Sequence, residues 1–431
     1  MKLVVSNDLT IINPSDEIKK YCKFNLVLDN PNYTTALRLG KYTGNIPKQL
    51  KLYSVVGEKY VLPFGCLQDI WLYCKNDYEV KIHGFHDFNM VGNIKLYDYQ
   101  ENAKNRLKSA KNGILEAPCG SGKTQIGLQL IKEIGGRALW LTHTSKLLNQ
   151  SLERAKQYFK GDFGTITNGE VSIGKDITFA TIQTMSKLDI ELYKNEFDVV
   201  VVDECHHCVG APTKMMQFYK VVNNCNCRYK YGLSATLSRS DGLIESLYAI
   251  IGKKVYTITQ RDVGDKIIKA KYVPFEITED YSLDYLNYDG TLDFNKLINM
   301  LSFDNKRNSI IIDNVLKQDG KQLLLCHRIE QVKLLSQKLN ASAIYSQVKE
   351  KCFDSNIIVA TYSLAKEGLD IPDLNVLHLI TPIKDKGTIK QCAGRVERNI
   401  SEKKQPLIYD YFDSKIPYCK NCQIIRKRVL K

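Results

Sequence analysis

The stretch Ala117-Pro118-Cys119-Gly120-Ser121-Gly122-Lys123-Thr124 decides the fold of this chain. It follows the apolar pair Ile114-Leu115 and directly precedes an amphipathic segment that runs from Gln125 to Ile134. A strand, a glycine-rich loop and a helix in this order are typical of a phosphate-binding loop. The strict pattern has glycine at its first position, where this chain has Ala117. The alternative interpretation is an ordinary glycine–serine turn before a helix.

The residue types of this loop suit a bound nucleotide. Gly120 and Gly122, with Ser121 between them, let backbone N–H groups close around phosphate oxygens. We expect Lys123 to reach the β- and γ-phosphates and the hydroxyl of Thr124 to bind Mg²⁺. The N-terminus of the following helix adds a dipole that favours an anion. The stretch therefore predicts an ATP site with Mg²⁺ as the cofactor.

Composition and charge narrow the class of protein. The chain has 431 residues, with 61 Lys and Arg against 47 Asp and Glu, so its formal charge is +14. This length suits two or three domains, and such a basic balance favours a polyanionic partner, nucleic acid first. A lysine-rich solvated surface is the alternative. No run approaches the roughly 20 apolar residues that span a bilayer, so no membrane association is expected.

The N-terminus and the cysteines indicate the compartment. Residues 1–14 lack the basic region, apolar core and cleavage site of a secretory signal. The 13 cysteines are odd in number and scattered, which indicates free thiols in a reducing, cytoplasmic environment. Two short segments contain residue types that bind metals, Cys205-His206-His207-Cys208 and Cys419-Lys420-Asn421-Cys422. We interpret the first as catalytic, and the second has no partner pair, so we expect no structural metal.

Strands and helices alternate after the loop, which predicts an α/β protein with parallel sheets. We expect five segments: an N-terminal α+β module at 1–93, a first lobe at 94–259, a connector at 260–305, a second lobe at 306–415 and a basic tail at 416–431. The position and basic-aromatic content of the first segment suggest an accessory DNA-binding module. A domain that packs on the catalytic core is the alternative.

A continuous apolar run, Val199 to Val202, is typical of a buried parallel strand and ends in Asp203-Glu204-Cys205-His206. An acidic residue at such a strand end, near a phosphate-binding loop, suits a Mg²⁺ ligand. Asp203 would hold the metal, and Glu204 would orient and deprotonate the attacking water. His206 would link the γ-phosphate site to the neighbouring strand, where Ser234-Ala235-Thr236 follows. Ser234 and Thr236 would pass a change at His206 to the second lobe.

Other polar residues lie near predicted strand ends. Gln100 precedes the loop, and its side-chain amide can contact both the donor and the acceptor of adenine. Thr142 and Thr181 end two strands of the first lobe, where ligands bind to parallel sheets. Hydroxyl groups at these places suit contacts with a phosphate backbone.

The second lobe ends one strand at Thr361 and carries the stretch Gln391-Cys392-Ala393-Gly394-Arg395-Val396-Glu397-Arg398 on a probable helix. Arg395 and Arg398 are three residues apart and so share a helix face. Two arginines on one face can clamp a γ-phosphate. A basic surface helix is the alternative.

Together these stretches resemble, in order and spacing, the motifs of superfamily-two helicases. The segment from Ser234 to Gly242, Ser-Ala-Thr-Leu-Ser-Arg-Ser-Asp-Gly, is similar to the branch that contains XPB and UvsW and related helicases of phages and large DNA viruses. The resemblance covers the chain from about Leu96 to Tyr411. It implies two RecA-like lobes in tandem, with ATP between them and single-stranded nucleic acid across both.

The resemblance also assigns roles to individual residues. Gln100 would contact adenine, Lys123 and Thr124 phosphate and Mg²⁺, and Asp203 and Glu204 the metal and the water. Arg395 and Arg398 would be arginine fingers, in a catalytic stretch that begins at Gln391. Gly368 and Asp370 would lie at the nucleotide site between the lobes, and Thr361 would lie near the nucleic-acid track.

The sequence thus favours an ATP-dependent DNA helicase or translocase. ATP would close the lobes, hydrolysis would open them, and nucleic acid would stimulate hydrolysis by favouring closure. One alternative is an RNA helicase or transcript-release ATPase. A second is a nucleic-acid clamp without hydrolysis, against which Glu204, Arg395 and Arg398 argue. A P-loop kinase or transporter ATPase would leave the second lobe and the paired arginines unexplained.

Overall fold

The computed structural model describes residues 1–74, 76–209, 211–235, 237, 243–264, 268–348, 355–366, 371, 373–397 and 405–431. The chain forms two compact units, residues 1–262 and 263–431. Both contain a mainly or wholly parallel sheet with helices in the connections. The predicted α/β class with two RecA-like lobes is confirmed, and the five predicted segment boundaries stay a prediction.

The first unit begins with an α+β module. Its five-stranded sheet has the order β5-β6-β2-β1-β7. Along β1 and β2 alternate residues are buried, as expected for strands with one face on a core. The elements are β1 (Lys2–Val5), β2 (Asp8–Ile12), α1 (Asp16–Asn25), β3 (Val27–Asp29), α2 (Pro31–Arg38), β4 (Gln49–Lys51), β5 (Ser54–Val56), β6 (Lys59–Pro63), α3 (Leu67–Cys74) and β7 (Tyr78–Val80).

This module packs directly on the rest of the first unit. The buried Lys230 ammonium donates to the backbone oxygen of Asn7 at 3.1 Å and lies 4.4 Å from the ring centre of Phe64. The amide of Asn7 donates to the backbone oxygen of Asn223 at 3.0 Å. One hydrophobic core runs through both parts. The packing interpretation of residues 1–93 therefore has direct contacts behind it, while a DNA-binding role stays a prediction.

The main sheet of the first unit has eight strands in the order β13-β12-β14-β10-β15-β16-β9-β17, parallel except at β13. The strands are β9 (Asn112–Glu116), β10 (Ala138–Thr142), β12 (Phe163–Thr167), β13 (Glu170–Ser172), β14 (Ile177–Thr181), β15 (Val199–Asp203), β16 (Tyr229–Ser234) and β17 (Lys254–Thr257). A separate pair is formed by β8 (Val91–Gly92) and β11 (Phe159–Lys160). The helices are α4 (Asp98–Ala110), α5 (Lys123–Ile134), α6 (Ser145–Tyr158), α7 (Ile182–Met185), α8 (Pro212–Asn224), α9 (Ile244–Ile251) and α10 (Gln260–Val263).

The apolar run Val199–Val202 forms the buried central strand of this sheet, β15. These valines are fully buried in β15, which pairs on both sides with parallel strands, β10 and β16. A strand covered on both faces reads as continuously apolar, as here. The carboxyl end of β15 therefore lies between the ends of its neighbours, beside the loop that follows β9.

The second unit contains a six-stranded parallel sheet in the order β18-β23-β22-β19-β21-β20. Its strands are β18 (Lys271–Ile277), β19 (Lys321–Cys326), β20 (Ser342–Ile344), β21 (Ile357–Thr361), β22 (Leu374–Leu379) and β23 (Leu407–Asp413). Its helices are α11 (Phe294–Phe303), α12 (Asn305–Leu316), α13 (Ile329–Leu339), α14 (Tyr362–Lys366), α15 (Lys386–Val396) and α16 (Pro417–Leu430).

Two segments of the second unit are more ordered than their sequence suggests. The expected connector contributes the edge strand β18 and the helix α11. The expected basic tail forms α16, which buries Cys419, Cys422, Arg426 and Leu430 along one side. Cys419 and Cys422 are free thiols three residues apart on that buried side, so core packing explains their spacing.

Two buried ion pairs tie helices to the strand β23 of this sheet. The Arg307 guanidinium of α12 donates to both carboxylate oxygens of Asp413, from Nε at 2.9 Å and from Nη2 at 3.1 Å. Arg426 of α16 lies 2.6 Å from a carboxylate oxygen of Asp410. Such fully buried charges are tolerated only because each is paired with a group of opposite charge.

Across the described ranges, no helix has the length and apolar character that crossing a membrane requires.

Candidate active site

The phosphate-binding loop joins β9 to α5. Gly120 and Gly122 have φ angles of +81° and +85°, in the region that favours glycine. A Cβ atom at Gly122 would lie 2.2 Å from Nε2 of Gln100, so the loop also requires glycine for space. The backbone N–H of Ala117 donates to the oxygen of Ser234 at 2.9 Å, which ties the loop to β16. Ala117 is fully buried, and the loop forms with alanine at this position.

Lys123 and Thr124 stand at the first turn of α5. The Lys123 side chain is 9 % exposed, and its Nζ donates to the backbone oxygen of Ala117 at 3.2 Å. The same Nζ lies 3.5 Å from Oε1 of Glu204. Burial alone would lower the pKa of Lys123, but Glu204 and other neighbouring groups more than offset this, so the pKa is raised. Lys123 therefore stays a cation, as binding to phosphate requires.

Asp203 and Glu204 lie at the carboxyl end of β15. Asp203 is the last residue of the strand, and Glu204 turns sharply away with φ +47° and ψ +47°. The Glu204 N–H donates to Oδ1 of Asp203 at 3.0 Å. This left-handed backbone at a non-glycine residue is strained, which is common where a catalytic side chain must be aimed.

The two carboxyl groups have opposite pKa shifts. Burial, followed by the charge of Glu204, raises the pKa of Asp203 to about 7. Burial would also raise the pKa of Glu204, but Lys123, His206 and the backbone of Ala235 outweigh it, and the pKa is lowered. Glu204 is therefore a carboxylate at neutral pH, which is the form that accepts a proton from water. A pair of acids shifted in opposite directions is typical of catalytic sites.

His206 connects this strand end to the next strand. It lies in a short 3₁₀ turn, Cys205–His207, and its Nδ1 is 2.9 Å from Oγ of Ser234, the last residue of β16. The same nitrogen is 3.5 Å from Oε2 of Glu204. The structure thus brings His206 and Ser234 together as the sequence predicts. Thr236, the third predicted coupling residue, lies outside the described residues, as does the stretch 238–242.

Gln100 holds the loop in this structure. It is buried on α4, where its Oε1 accepts from the Tyr97 N–H at 2.9 Å and its Nε2 donates to the backbone oxygen of Ser121 at 2.9 Å. Both ends of the amide are therefore bonded to protein groups. Ser121 is itself fixed, because its hydroxyl donates to the oxygen of Pro118 at 2.7 Å. The predicted contact of Gln100 with adenine stays a prediction.

Thr142 and Thr181 end neighbouring strands and face each other in register. Both side chains are buried, and their hydroxyls donate inside the protein, to the oxygen of Thr144 at 3.0 Å and to Oγ1 of Thr184 at 2.9 Å. Thr361 of β21 is likewise buried, 3.1 Å from Oγ of Ser363. All three residues lie at strand ends, where their hydroxyls contact other groups of the protein. Their contact with nucleic acid stays a prediction.

Gln391 and Arg395 lie on α15 of the second unit. Nε of Arg395 donates to the backbone oxygen of Ala365 at 2.9 Å. Oε1 of Gln391 is buried and has no hydrogen-bond partner within the described part of the chain. Arg398, Gly368 and Asp370 lie outside the described residues. The catalytic roles predicted for this group stay predictions.

One contributor to the site, Glu116, was not predicted from the sequence. Oε1 of Glu116, at the end of β9, accepts the Leu237 N–H at 3.2 Å, and its Oε2 accepts from Lys254 at 2.9 Å. Glu116 thereby anchors the segment that follows Ser234. The sequence offered one signal for this residue: Glu116 is a charged residue at the end of an apolar strand. Cys205, which the sequence placed in the acidic motif, packs against β16: a Cβ at Gly232 would lie 2.9 Å from its sulfur, so Cys205 fills the space above this strand.

The arrangement unites a buried cation, a strand-end carboxyl and a proton-accepting carboxylate at one phosphate-binding loop. Comparisons with known proteins show what this chain is similar to. Residues 93–239 match the ResIII family, described as "Type III restriction enzyme, res subunit". That match contains the loop, the Asp203-Glu204 pair and Ser234.

Relatives extend the similarity beyond the first unit. A protein of Acanthamoeba polyphaga mimivirus, named as a candidate ATP-dependent RNA helicase, is 26% identical over 435 residues, which cover 95% of this chain and 77% of that protein. The DNA 3'-5' translocase XPB2 of Sulfurisphaera tokodaii is 33% identical over 180 residues, 42% of this chain and 39% of that protein.

A solved structure shares the fold. Dbp5 of S. cerevisiae, bound to RNA and ADP BeF3, superposes with a TM-score of 0.55 at 16% identity, covering 78% of this chain and 88% of that chain. The predicted resemblance is confirmed: the first unit contains a ResIII match at residues 93–239, and the chain is homologous to a viral protein named as a helicase and to an XPB translocase.

Proposed function

We propose that this protein is an ATP-dependent DNA helicase or translocase, which couples ATP hydrolysis to movement along DNA and to separation or remodelling of duplexes. One observation carries the proposal. Lys123 and Glu204 are 3.5 Å apart at a phosphate-binding loop, with Asp203 beside them, inside a match to a helicase domain. A P-loop lysine, a strand-end aspartate and a base for water are the groups that NTP hydrolysis requires.

In the proposed reaction, backbone N–H groups of residues 120–124 and the Lys123 ammonium hold the phosphates of ATP. Thr124 and Asp203 fit a Mg²⁺ ion, because a hydroxyl and a carboxylate are the oxygen ligands that it prefers. When bound, Mg²⁺ would neutralise charge on the phosphate oxygens. Glu204 accepts the proton of the attacking water, since its pKa is held low and it stays ionised.

Coupling to nucleic acid is proposed through His206 and Ser234. Their 2.9 Å contact connects the base Glu204 to the end of the neighbouring strand. A shift of either strand end would therefore reach the catalytic carboxylate. Arg395 and Arg398 are proposed to act on the γ-phosphate, as the family resemblance implies, which would make hydrolysis dependent on the second unit.

DNA is the proposed polymer because the relative matched at 33% identity is named a DNA translocase. The formal charge of +14 supports a nucleic-acid partner of either kind. RNA is the second candidate, because the mimivirus relative that spans 95% of this chain is named for RNA. A clamp that binds without hydrolysis is disfavoured, because Glu204 is present, ionised and beside Lys123.

The test is ATP hydrolysis by the full chain without polymer and with single-stranded DNA, branched duplex DNA or RNA. We expect strong stimulation by DNA that is absent in Lys123→Ala. Lys108→Ala is the matched control, since Lys108 is an exposed lysine of α4 that pairs with Glu133. Stimulation by RNA alone would replace the DNA proposal with the RNA one. Tight binding without hydrolysis on any polymer would favour the clamp.

A further inference from the structure

Two histidines and an aspartate meet at the end of β15 opposite to the active site. Asp198 immediately precedes the strand, whose other end is Asp203. The two ends are about 16 Å apart along an extended strand of this length. Within the described ranges, His83, His86 and Asp198 form a group of possible metal ligands whose donor atoms all lie within 4.8 Å of one another. The proposed ATPase uses none of them.

The carboxylate of Asp198 is held in a fixed direction. Its side chain is 3 % exposed. Oδ2 accepts the backbone N–H of Arg137 at 2.8 Å and that of His86 at 3.1 Å. Oδ1 faces both imidazole rings, 3.2 Å from Nδ1 of His86 and 3.5 Å from Nδ1 of His83. Nδ1 of His86 also lies 3.3 Å from Oδ2. Backbone donors that orient a carboxylate facing imidazole nitrogens are the outer-shell support that metal ligands have.

Oxygen atoms surround both ring nitrogens of His83, and such surroundings favour a cation nearby. Its Nε2 lies 3.2 Å from the backbone oxygen of Phe197, and its Nδ1 lies 2.6 Å from the oxygen of Gly84 and 3.5 Å from Oδ1 of Asp198. A neutral imidazole has only one N–H, so one nitrogen would direct its lone pair at oxygen. A cation beside Nδ1 removes this repulsion, while Nε2–H donates to Phe197. Metal-bound histidines have this arrangement, with the second nitrogen bonded to a carbonyl oxygen.

We propose that His83, His86 and Asp198 bind one divalent transition-metal ion of the zinc class. Donor atoms at about 2.0–2.1 Å from a tetrahedral ion lie ~3.4 Å from one another. The observed separations from Oδ1 of Asp198, 3.2 and 3.5 Å, match this spacing. Two imidazoles and one carboxylate suit Zn²⁺ and its neighbours rather than Mg²⁺ or Ca²⁺. The side chain of His86 is 27 % exposed and that of His83 is 17 % exposed, so an ion can enter and water can complete its coordination.

Such an ion would fasten the segment that leads from β7 towards α4 to the start of the central strand. Two hydrogen bonds already join Asp198 and Arg137 there: the Asp198 N–H donates to the backbone oxygen of Arg137 at 2.8 Å, and the Arg137 N–H donates to the Asp198 carboxylate. The bound ion would add the two histidines to this junction. This inference is independent of the polymer on which the protein acts.

The test uses the full chain after dialysis against a chelator. We expect calorimetry to give about one equivalent of bound Zn²⁺, and Co²⁺ to give the visible absorption of a tetrahedral site. His86→Gln and Asp198→Asn should each weaken Zn²⁺ binding at least about tenfold. Asp198→Asn keeps a side-chain oxygen for the Arg137 N–H, and an unchanged circular dichroism spectrum shows that the variants fold.

Cys208→Ser is the control for the rival set of ligand types, Cys205-His206-His207-Cys208. It should bind Zn²⁺ as the unaltered chain does. Three results would overturn the proposal. These are no saturable Zn²⁺ binding by the unaltered chain; unchanged binding in both His86→Gln and Asp198→Asn; or loss of binding in Cys208→Ser.

Discussion

Nζ of Lys123 lies 3.5 Å from Oε1 of Glu204, and both side chains are largely buried. The lysine is the first residue of the helix after the loop, and the glutamate follows the central strand. Each charge helps to keep the other ionised before any nucleotide is present. Both groups therefore carry the charges that the proposed phosphate binding and proton transfer from water require.

Glu204→Gln should separate ATP binding from hydrolysis. Glutamine keeps the shape of the side chain but cannot take a proton, so kcat should fall by about 10²- to 10⁴-fold. ATP affinity should change much less, because Lys123 and the loop remain. Single-turnover hydrolysis and equilibrium binding of a fluorescent ATP analogue measure the two effects. Glu101→Gln, a change at a half-exposed glutamate of α4, is the control. Hydrolysis at the original rate would show that Glu204 is not the base.

The His206–Ser234 contact should control stimulation by nucleic acid. We expect His206→Ala and Ser234→Ala each to reduce the ratio of hydrolysis rates with and without DNA. Because the two groups form one contact, the double variant should lose little more than either single variant. Ser309→Ala, a change at an exposed serine of α12, should leave the ratio unaltered. Additive losses in the double variant would argue against a shared pathway.

His378 predicts part of the acid sensitivity of the second unit. It is fully buried, with Nε2 2.8 Å from Oε1 of Gln322 and Nδ1 3.1 Å from the Tyr411 hydroxyl. Burial lowers its pKa to about 3, from an ordinary value of 6.5. Between these values the unfolded chain binds the proton and the folded chain does not, so stability falls as the pH falls from 6.5 towards 3.

His378→Asn should therefore reduce the dependence of stability on pH, by at most about 1.4 kcal/mol per pH unit for one proton. Urea unfolding at several pH values between 4 and 7 measures the slope. The variant loses packing at every pH, so the slope and not the absolute stability is the readout. An unchanged slope would mean that His378 does not titrate on unfolding.

Arg307→Ala should strongly destabilise the second unit. It leaves the buried Asp413 carboxylate without its bidentate partner, at a cost of about 3–5 kcal/mol. Lys415→Ala breaks an exposed pair with Asp280 and should cost about 0–1 kcal/mol. The double change Arg307→Met with Asp413→Leu should recover much of the loss, because no unpaired charge remains buried. Equal thermal stability of Arg307→Ala and Lys415→Ala would contradict the buried-pair argument.

Most of the candidate active site could be predicted from the sequence because its signals are local. The glycines of the loop, the valine run and the acidic pair that ends it each depend on neighbouring residues. The buried pair of Arg307 and Asp413 could not be found in this way, since its members are 106 residues apart and look like ordinary surface charges.

The His83–His86–Asp198 cluster is hidden for the same reason. His83 and His86 are close in sequence, but Asp198 is 112 residues from His86 and joins it only when the sheet forms. For Thr142 and Thr181, the sequence predicts the position of the residue but not the hydrogen bond that its hydroxyl makes. A strand end predicts their position correctly, but their internal hydrogen bonds depend on the turns that follow.

The central claim is that ATP hydrolysis moves this protein along DNA. Displacement of a labelled third strand from a DNA triplex tests it most directly, because displacement requires movement and not only binding. We predict rapid displacement by the full chain with ATP, and none without ATP or by Glu204→Gln. Displacement at the same rate with and without ATP, or DNA-stimulated hydrolysis without any displacement, would contradict the account.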